Sequence, residues 1–200
     1  MSAKNLFDLH TKDAKLIAVS KTKSVKNILE IYELGQRDFG ENYLQEALIK
    51  IPQLPKDIIW HFIGKIQSNK TLDIAKNFDI IHTVDRAKIA IRFDKHAQDL
   101  GKKLKVLIQV NIDDEITKSG VSLNGLEELV NCIKNLQNID LIGLMCIPKK
   151  DKTNSFAKML VLKNKYKLNE LSMGMSGDFL DAIKNGSTMV RIGTLIFGAR

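Results

Sequence analysis

The chain has 200 residues and a formal net charge of +8, from 31 Lys and Arg against 23 Asp and Glu. This length suits one domain over residues 1–200 with a sizeable core. No apolar run approaches the roughly 20 residues that cross a bilayer, so we expect no membrane association. The lysines are scattered, without an aromatic-interleaved basic patch, which makes nucleic-acid binding an unfavoured class.

The cysteine and histidine content points away from metal chemistry. Cys132 and Cys146 lack metal-ligand spacing, and the four histidines are dispersed. The first eight residues lack the apolar core of a signal peptide. We therefore expect a cytoplasmic protein with reduced, structural thiols and no metal.

Segments of β-strand and helical character alternate along the chain. The first is residues 16–21, LIAVSK, a short β-branched run bounded by charged residues. The predicted strands are 16–21, 37–42, 58–63, 80–84, 105–111, 139–147, 169–172 and 188–192. The predicted helices are 3–15, 24–34, 43–50, 69–76, 85–100, 122–135, 156–167 and 178–185. Ser24 is the expected N-cap of its helix, and Gly35, Gly101 and Gly186 mark helix ends.

Eight strands with about seven intervening helices predict an α/β fold with parallel pairing, and the count favours a single (β/α)8 TIM barrel. A doubly wound open sheet is the competing architecture. Active sites of such barrels lie at the carboxyl ends of the strands. Candidates at or just after those ends are Lys21, Asn42, Gly64, His82, Asn111 and Arg191.

Lys21 ends the first predicted strand on the face that carries Ile17 and Val19. A side chain there would lose hydration, which favours the neutral amine that condenses with an aldehyde. A solvated lysine at a strand end is the alternative. In a closed barrel, strand eight lies beside strand one, so Lys21 and Arg191 would face the same small ligand.

The C-terminal region carries a cation and two turns suited to an anion. Alternation points Arg191 away from its neighbours and into the barrel, where it needs a polar partner. That partner is either an acidic side chain or a ligand anion or ring nitrogen. Gly193 and Thr194 precede a final short helix, and Ser176 is placed to cap the helix 178–185, so both turns could bind phosphate. An ordinary N-cap role for Ser176 is the alternative.

A lysine for an aldehyde, a phosphate site and an arginine between them fit pyridoxal 5′-phosphate (PLP). The sequence also resembles the pyridoxal phosphate homeostasis protein family over nearly its whole length. The matching motifs are AVSKTK at 18–23, FGENY at 39–43, WHFIG at 60–64, QSNK at 67–70, VN at 110–111, KSG at 118–120, GLM at 143–145, LSMGMS at 171–176, GSTMVRIGT at 186–194 and FGAR at 197–200.

The resemblance implies one barrel like the N-terminal domain of alanine racemase, with PLP as its cofactor. On the ring side, Lys21 would form the Schiff base, Asn42 would line the pocket and Arg191 would meet the pyridine nitrogen.

On the phosphate side, the resemblance assigns the cofactor's phosphate to Ser176, Gly193 and Thr194. It also implies an intracellular protein that buffers or carries PLP, with PLP-dependent apoenzymes as its possible partners. We expect a monomer, because the second domain that builds the racemase dimer has no counterpart in this sequence.

Two enzymatic alternatives stay open beside a PLP carrier with little or no turnover and no catalytic residue of its own. One is a PLP-dependent amino-acid racemase-like enzyme, and the other is a Schiff-base aldolase that uses Lys21 without PLP. Tyr43, Lys65, His82 and Lys118 are the candidate extra acids and bases, although a structural or surface role is favoured for each. For His61, a core or pocket-wall position is expected.

Overall fold

The computed structural model describes residues 14–115, 119–149 and 154–198. In these ranges, eight parallel strands close into one barrel in sequential order, with β8 paired to β1. The strands are β1 Lys15–Val19, β2 Asp38–Glu41, β3 Ile59–Phe62, β4 Ile80–Val84, β5 Leu104–Gln109, β6 Ile139–Met145, β7 Glu170–Ser172 and β8 Met189–Ile192. The barrel prediction is confirmed, and the open sheet is wrong.

Helices follow the strands and cover the outside of the barrel. They are α1 Val25–Glu33, α2 Leu44–Lys50, α3 Thr71–Asn77, α4 Ala87–Asp99, α5 Leu123–Lys134, α6 Ser155–Lys165, α7 Phe179–Lys184 and α8 Thr194–Phe197. Short 3-10 turns occur at Ile51–Gln53 and Ser68–Lys70. No helix in the described ranges is both long and apolar enough to span a bilayer.

The apolar side chains form two layers, as strand alternation requires. The larger layer fills the space between sheet and helices and includes Val190 and Ile192 of β8. A smaller cluster, centred on Ile80, Leu107 and Met145, lies apart from it. Arg191, between the two outward-facing residues of β8, is therefore turned into the barrel, as predicted.

Local capping signals explain several helix boundaries. Ser24 and Asn27 form a capping box at the start of α1. Gly35 follows that helix with φ +100°, a conformation that residues with a Cβ rarely adopt.

Three boundary predictions are corrected. The first strand ends at Val19, so Lys21 lies in the turn that follows. The predicted helix 3–15 lies outside the described residues except for Ala14 and Lys15, and Lys15 opens β1. His82 lies in the middle of β4 rather than at a strand end, because that strand runs from Ile80 to Val84.

Candidate functional site

A cavity of about 340 Å³ opens at the carboxyl ends of the strands, where β8 closes against β1. It is lined by Val19, Lys21, Asn42, Ile63, Met145, Ile147, Met175, Ser176, Gly177, Arg191, Gly193 and Thr194. All six residues that the sequence marks as cofactor-binding candidates are in this set. The volume is within the range of small-ligand pockets.

Lys21 reaches the cavity from a turn in a strained conformation. The next residue, Thr22, has φ 64°, which is unfavourable for a β-branched side chain. Its backbone N–H donates to Oε1 of Glu46 at 2.6 Å, a contact that helps to hold the turn. Strain of this kind concentrates at ligand sites, where surrounding contacts maintain it.

Beneath this turn lies a buried ionic cluster that the sequence analysis missed. Lys50 donates from Nζ to the carbonyl oxygen of Ser20 at 2.9 Å and to Oε1 of Glu41 at 3.0 Å, and it pairs with Glu46. The Glu41 side chain is completely buried. Burial raises the pKa of Glu41, although Ser20 and Lys50 oppose the shift. The cluster thus ties α2 to the segment that carries Lys21.

Arg191 is almost completely buried and has neutral partners. One terminal nitrogen, Nη1, donates to Oγ of Ser172 at 2.6 Å, and Nη2 donates to the carbonyl oxygen of Cys146 at 2.9 Å. No carboxylate in the described part of the chain forms an ion pair with it. Desolvation lowers the pKa of Arg191, but an arginine remains protonated. Within the described residues, Arg191 is therefore held by a hydroxyl and a carbonyl oxygen, and the alternative of an acidic side chain as its partner is not observed.

Ser172 continues the polar contacts away from the cavity. Its Oγ lies 2.9 Å from Nδ1 of His82, whose Nε2 lies 2.9 Å from Nδ1 of His61. Nε2 of His61 lies 2.9 Å from Oδ1 of Asp38. His61 is thus a core histidine, as expected, whereas the participation of His82 and Ser172 was not predicted.

The two turns expected to bind phosphate lie together in the cavity wall. Ser176 is not the cap of α7, because Asp178 holds that position and the helix begins one residue later. The backbone N–H groups of Ser176, Gly177 and Thr194 donate to no acceptor within the described residues. Nζ of Lys23 donates to the carbonyl oxygen of Phe197 at 3.1 Å, which secures α8. These turns can therefore offer several donors to one anion.

Asn42 presents an acceptor to the same region. Its Oδ1 is buried and has no hydrogen-bond partner in the part of the chain that is described. Such an atom is costly unless a ligand or another group satisfies it. A neighbouring cavity, also about 340 Å³, shares Asn42 and is lined by Tyr43 and Lys65. These two candidate acid–base residues therefore lie beside, rather than in, the cavity of Lys21.

Neither cysteine is among the residues that line the cavity. Burial raises the pKa of the Cys146 thiol to about 12, so it is protonated at neutral pH. Cys132 and Cys146 are both free thiols. Lys118 lies outside the described residues.

Comparison with known proteins assigns the family. The family described as "Alanine racemase, N-terminal domain" matches residues 3–200. A protein of Vibrio alginolyticus named "Pyridoxal phosphate homeostasis protein" is 48% identical over 201 residues, which cover 93% of this chain and 86% of the relative.

Solved structures agree with this assignment. PipY of Synechococcus elongatus PCC7942 without PLP has a TM-score of 0.93 and 35% identity, covering 99% of this chain and 100% of PipY. PipY with PLP bound has a TM-score of 0.88 and 35% identity, covering 98% and 99%. Alanine racemase of Clostridium difficile 630 has a TM-score of 0.76 and 18% identity, with 98% of this chain and 54% of the racemase covered, a likeness of fold.

Proposed function

Since the chain belongs to the pyridoxal phosphate homeostasis protein family, built on the alanine racemase N-terminal domain, we propose that it binds PLP and takes part in PLP homeostasis. In this proposal, the protein acts as one cytoplasmic, monomeric domain with little or no catalytic turnover. PLP-dependent apoenzymes are the proposed recipients of its cofactor. The observation that carries the proposal is the cavity that joins Lys21, Arg191 and two turns whose N–H groups have no acceptor among the described residues.

The residues present fit PLP at each end of the cofactor. PLP supplies an aldehyde that condenses with a primary amine, and we assign that amine to Lys21. The N–H groups of Ser176 and Thr194 suit the phosphate, together with the backbone at Gly193. The orphan Oδ1 of Asn42 suits a hydroxyl group on the ring.

The charge of Arg191 favours a carrier over a PLP enzyme that needs a strong electron sink, whereas racemisation tolerates an arginine at the ring nitrogen. A guanidinium beside the ring nitrogen opposes protonation of that nitrogen and so weakens the cofactor as an electron sink. Arg191 has no carboxylate partner within the described ranges to offset its charge.

The racemase-like alternative is tested by incubating the loaded protein with single enantiomers of amino acids. Formation of the opposite enantiomer much faster than with free PLP would contradict the carrier function.

Loading the protein with PLP tests the assignment of Lys21. We expect a visible absorbance band that borohydride removes, with the reduced cofactor fixed on the peptide that contains Lys21. Lys21→Met is expected to lose this adduct completely, because no amine remains at that position. Lys26→Met is the control, since Lys26 is exposed on α1. Protein that cannot be loaded with PLP would contradict the proposed function.

The phosphate site is tested by comparing PLP with pyridoxal, which lacks the phosphate. We expect pyridoxal to bind at least about tenfold more weakly, because it forms no charge-assisted hydrogen bonds with the two turns. Ser176→Ala removes the hydroxyl group and keeps the backbone N–H, so loss of the hydroxyl's hydrogen bond to the phosphate should weaken PLP binding about three- to tenfold and leave pyridoxal binding unchanged. Titrations followed by absorbance give both affinities. An equal loss for both ligands would place Ser176 away from the phosphate.

A further inference from the structure

The contacts inside the barrel form one uninterrupted row across it. The row runs from Arg191 on β8 to Ser172 on β7, then to His82 on β4, His61 on β3 and Asp38 on β2. The three inner side chains are completely buried. Asp38 is the first residue of β2, so it lies at the amino-terminal end of the barrel, opposite the cavity.

The direction of every hydrogen bond in the row follows from Asp38. Burial by itself would raise the pKa of Asp38, but the hydrogen bond from His61 and the ammonium of Lys15, 3.3 Å away, outweigh it and keep the pKa low. Asp38 is therefore a carboxylate and only accepts, so the proton of His61 is on Nε2. Burial lowers the pKa of both histidines, which makes them neutral at physiological pH.

The rest of the row is then fixed. With its proton on Nε2, neutral His61 accepts at Nδ1, so His82 donates from Nε2 and accepts at its own Nδ1. Ser172 must donate its hydroxyl proton to His82, which leaves its oxygen lone pairs for Arg191. Arginine can only donate, so the bond between Arg191 and Ser172 must run from Arg191 to Ser172. This is the same direction as the one derived from Asp38 at the other end of the row. All four bonds point from the guanidinium toward the carboxylate.

We propose that Ser172, His82 and His61 are positioning residues, forming a directional hydrogen-bond chain that couples the Asp38 carboxylate to the Arg191 guanidinium in the cofactor pocket. The inference rests on the proposed function, because it assigns Arg191 to the ring-nitrogen side of PLP. The chain orients the guanidinium and supplies a remote counter-charge without a carboxylate beside the cofactor. Neutral partners next to Arg191 also keep the pocket free of an anion that would repel the cofactor's phosphate.

The first test uses protein without cofactor. Nitrogen-15 NMR of protein labelled in histidine and arginine should show His61 and His82 neutral in the wild type, each with its proton on Nε2. In Asp38→Asn the end group can donate as well as accept, so we expect both histidine signals and the Arg191 guanidinium signal to move. Asp140→Asn is the matched control, because Asp140 also lies near the amino-terminal end of a strand but pairs with Lys103 at 2.9 Å. That control should leave all three signals unchanged.

The second test uses protein loaded with PLP that carries nitrogen-15 in its ring. We expect Ser172→Ala to move the ring-nitrogen signal most, Asp38→Asn to move it less, and Asp140→Asn not to move it. The PLP dissociation constant should rise about three- to thirtyfold in the first two variants. A histidine proton on Nδ1 in the wild type would overturn the proposed hydrogen-bond chain. A PLP ring-nitrogen signal that does not move in Asp38→Asn would overturn it as well. Failure to load PLP at all would instead count against the proposed function, and the cofactor-free measurement would still decide the row of bonds.

Discussion

Replacing Lys50 by methionine is expected to destabilise the protein by about 3–5 kcal/mol, the usual cost of leaving a buried charge without its partner. The completely buried Glu41 carboxylate keeps only the Ser20 hydroxyl, which donates to Oε1 at 2.7 Å. Its second oxygen already has no hydrogen-bond partner among the described residues. Urea unfolding of the cofactor-free protein, followed by circular dichroism, measures the loss.

The pH dependence of this loss identifies its cause. Removal of the ammonium should raise the pKa of Glu41 further above the unfolded-state value of about 4.3. A group with a raised folded pKa contributes stability that is present below the unfolded pKa and is lost as pH rises through the folded pKa. The stability deficit of Lys50→Met relative to wild type should therefore shrink as pH falls from neutral toward the unfolded-state value of about 4.3, because Glu41 takes up a proton over that range.

Two further variants separate the buried charge from other effects of the Lys50 substitution. Glu41→Gln in the Lys50→Met background should recover part of the stability, since the double variant no longer buries the Glu41 carboxylate without its cation. Lys165→Met breaks an exposed pair with Glu127 and should leave the free energy of unfolding close to that of the wild type. A deficit that is independent of pH and is not rescued by Glu41→Gln would show that lost packing, rather than charge, is responsible.

The barrel was predictable because each strand carries a local signal that its surroundings reinforce. The run 16–21 is β-branched and bounded by charges, and the alternation around Arg191 correctly gave its inward direction. Closure of β8 against β1 then followed from the strand count. This is why the sequence could place all six candidate residues around one cavity, although their role in cofactor binding stays a prediction.

The parts that were missed depend on contacts between residues far apart in the chain. His82 and Ser172 are 90 positions apart and meet across the interior, a distance over which single-sequence periodicity carries no information. Lys50 looks like an ordinary basic residue in the last turn of a helix, yet its side chain is 7% exposed. The exact cap of α7 was also misjudged, because Ser176 and Asp178 are both good N-cap residues and only the turn geometry chooses between them.

Gly64→Ala is expected to damage both stability and the cavity wall. A Cβ built on Gly64 would lie 1.9 Å from the carbonyl oxygen of Asn42 and 2.7 Å from its carbonyl carbon. Both atoms are backbone, so no flexible side chain can yield, and β2 and β3 must separate at their carboxyl ends. Overpacking commonly costs about 1–3 kcal/mol, and a clash with backbone should reach or exceed the upper end.

Because Asn42 lines the cavity, the same substitution should also weaken PLP binding, by at least about tenfold if the orphan Oδ1 contacts the cofactor. Gly177→Ala is the matched control, since a Cβ there meets nothing within 4 Å and its φ is not positive. That variant should unfold like the wild type, which makes it a control for stability. Thermal unfolding of both variants and absorbance titration of Gly64→Ala provide the comparison. Wild-type stability in Gly64→Ala would mean that the β2 and β3 ends can separate at little cost, and that the position of Asn42 is not fixed by this close approach.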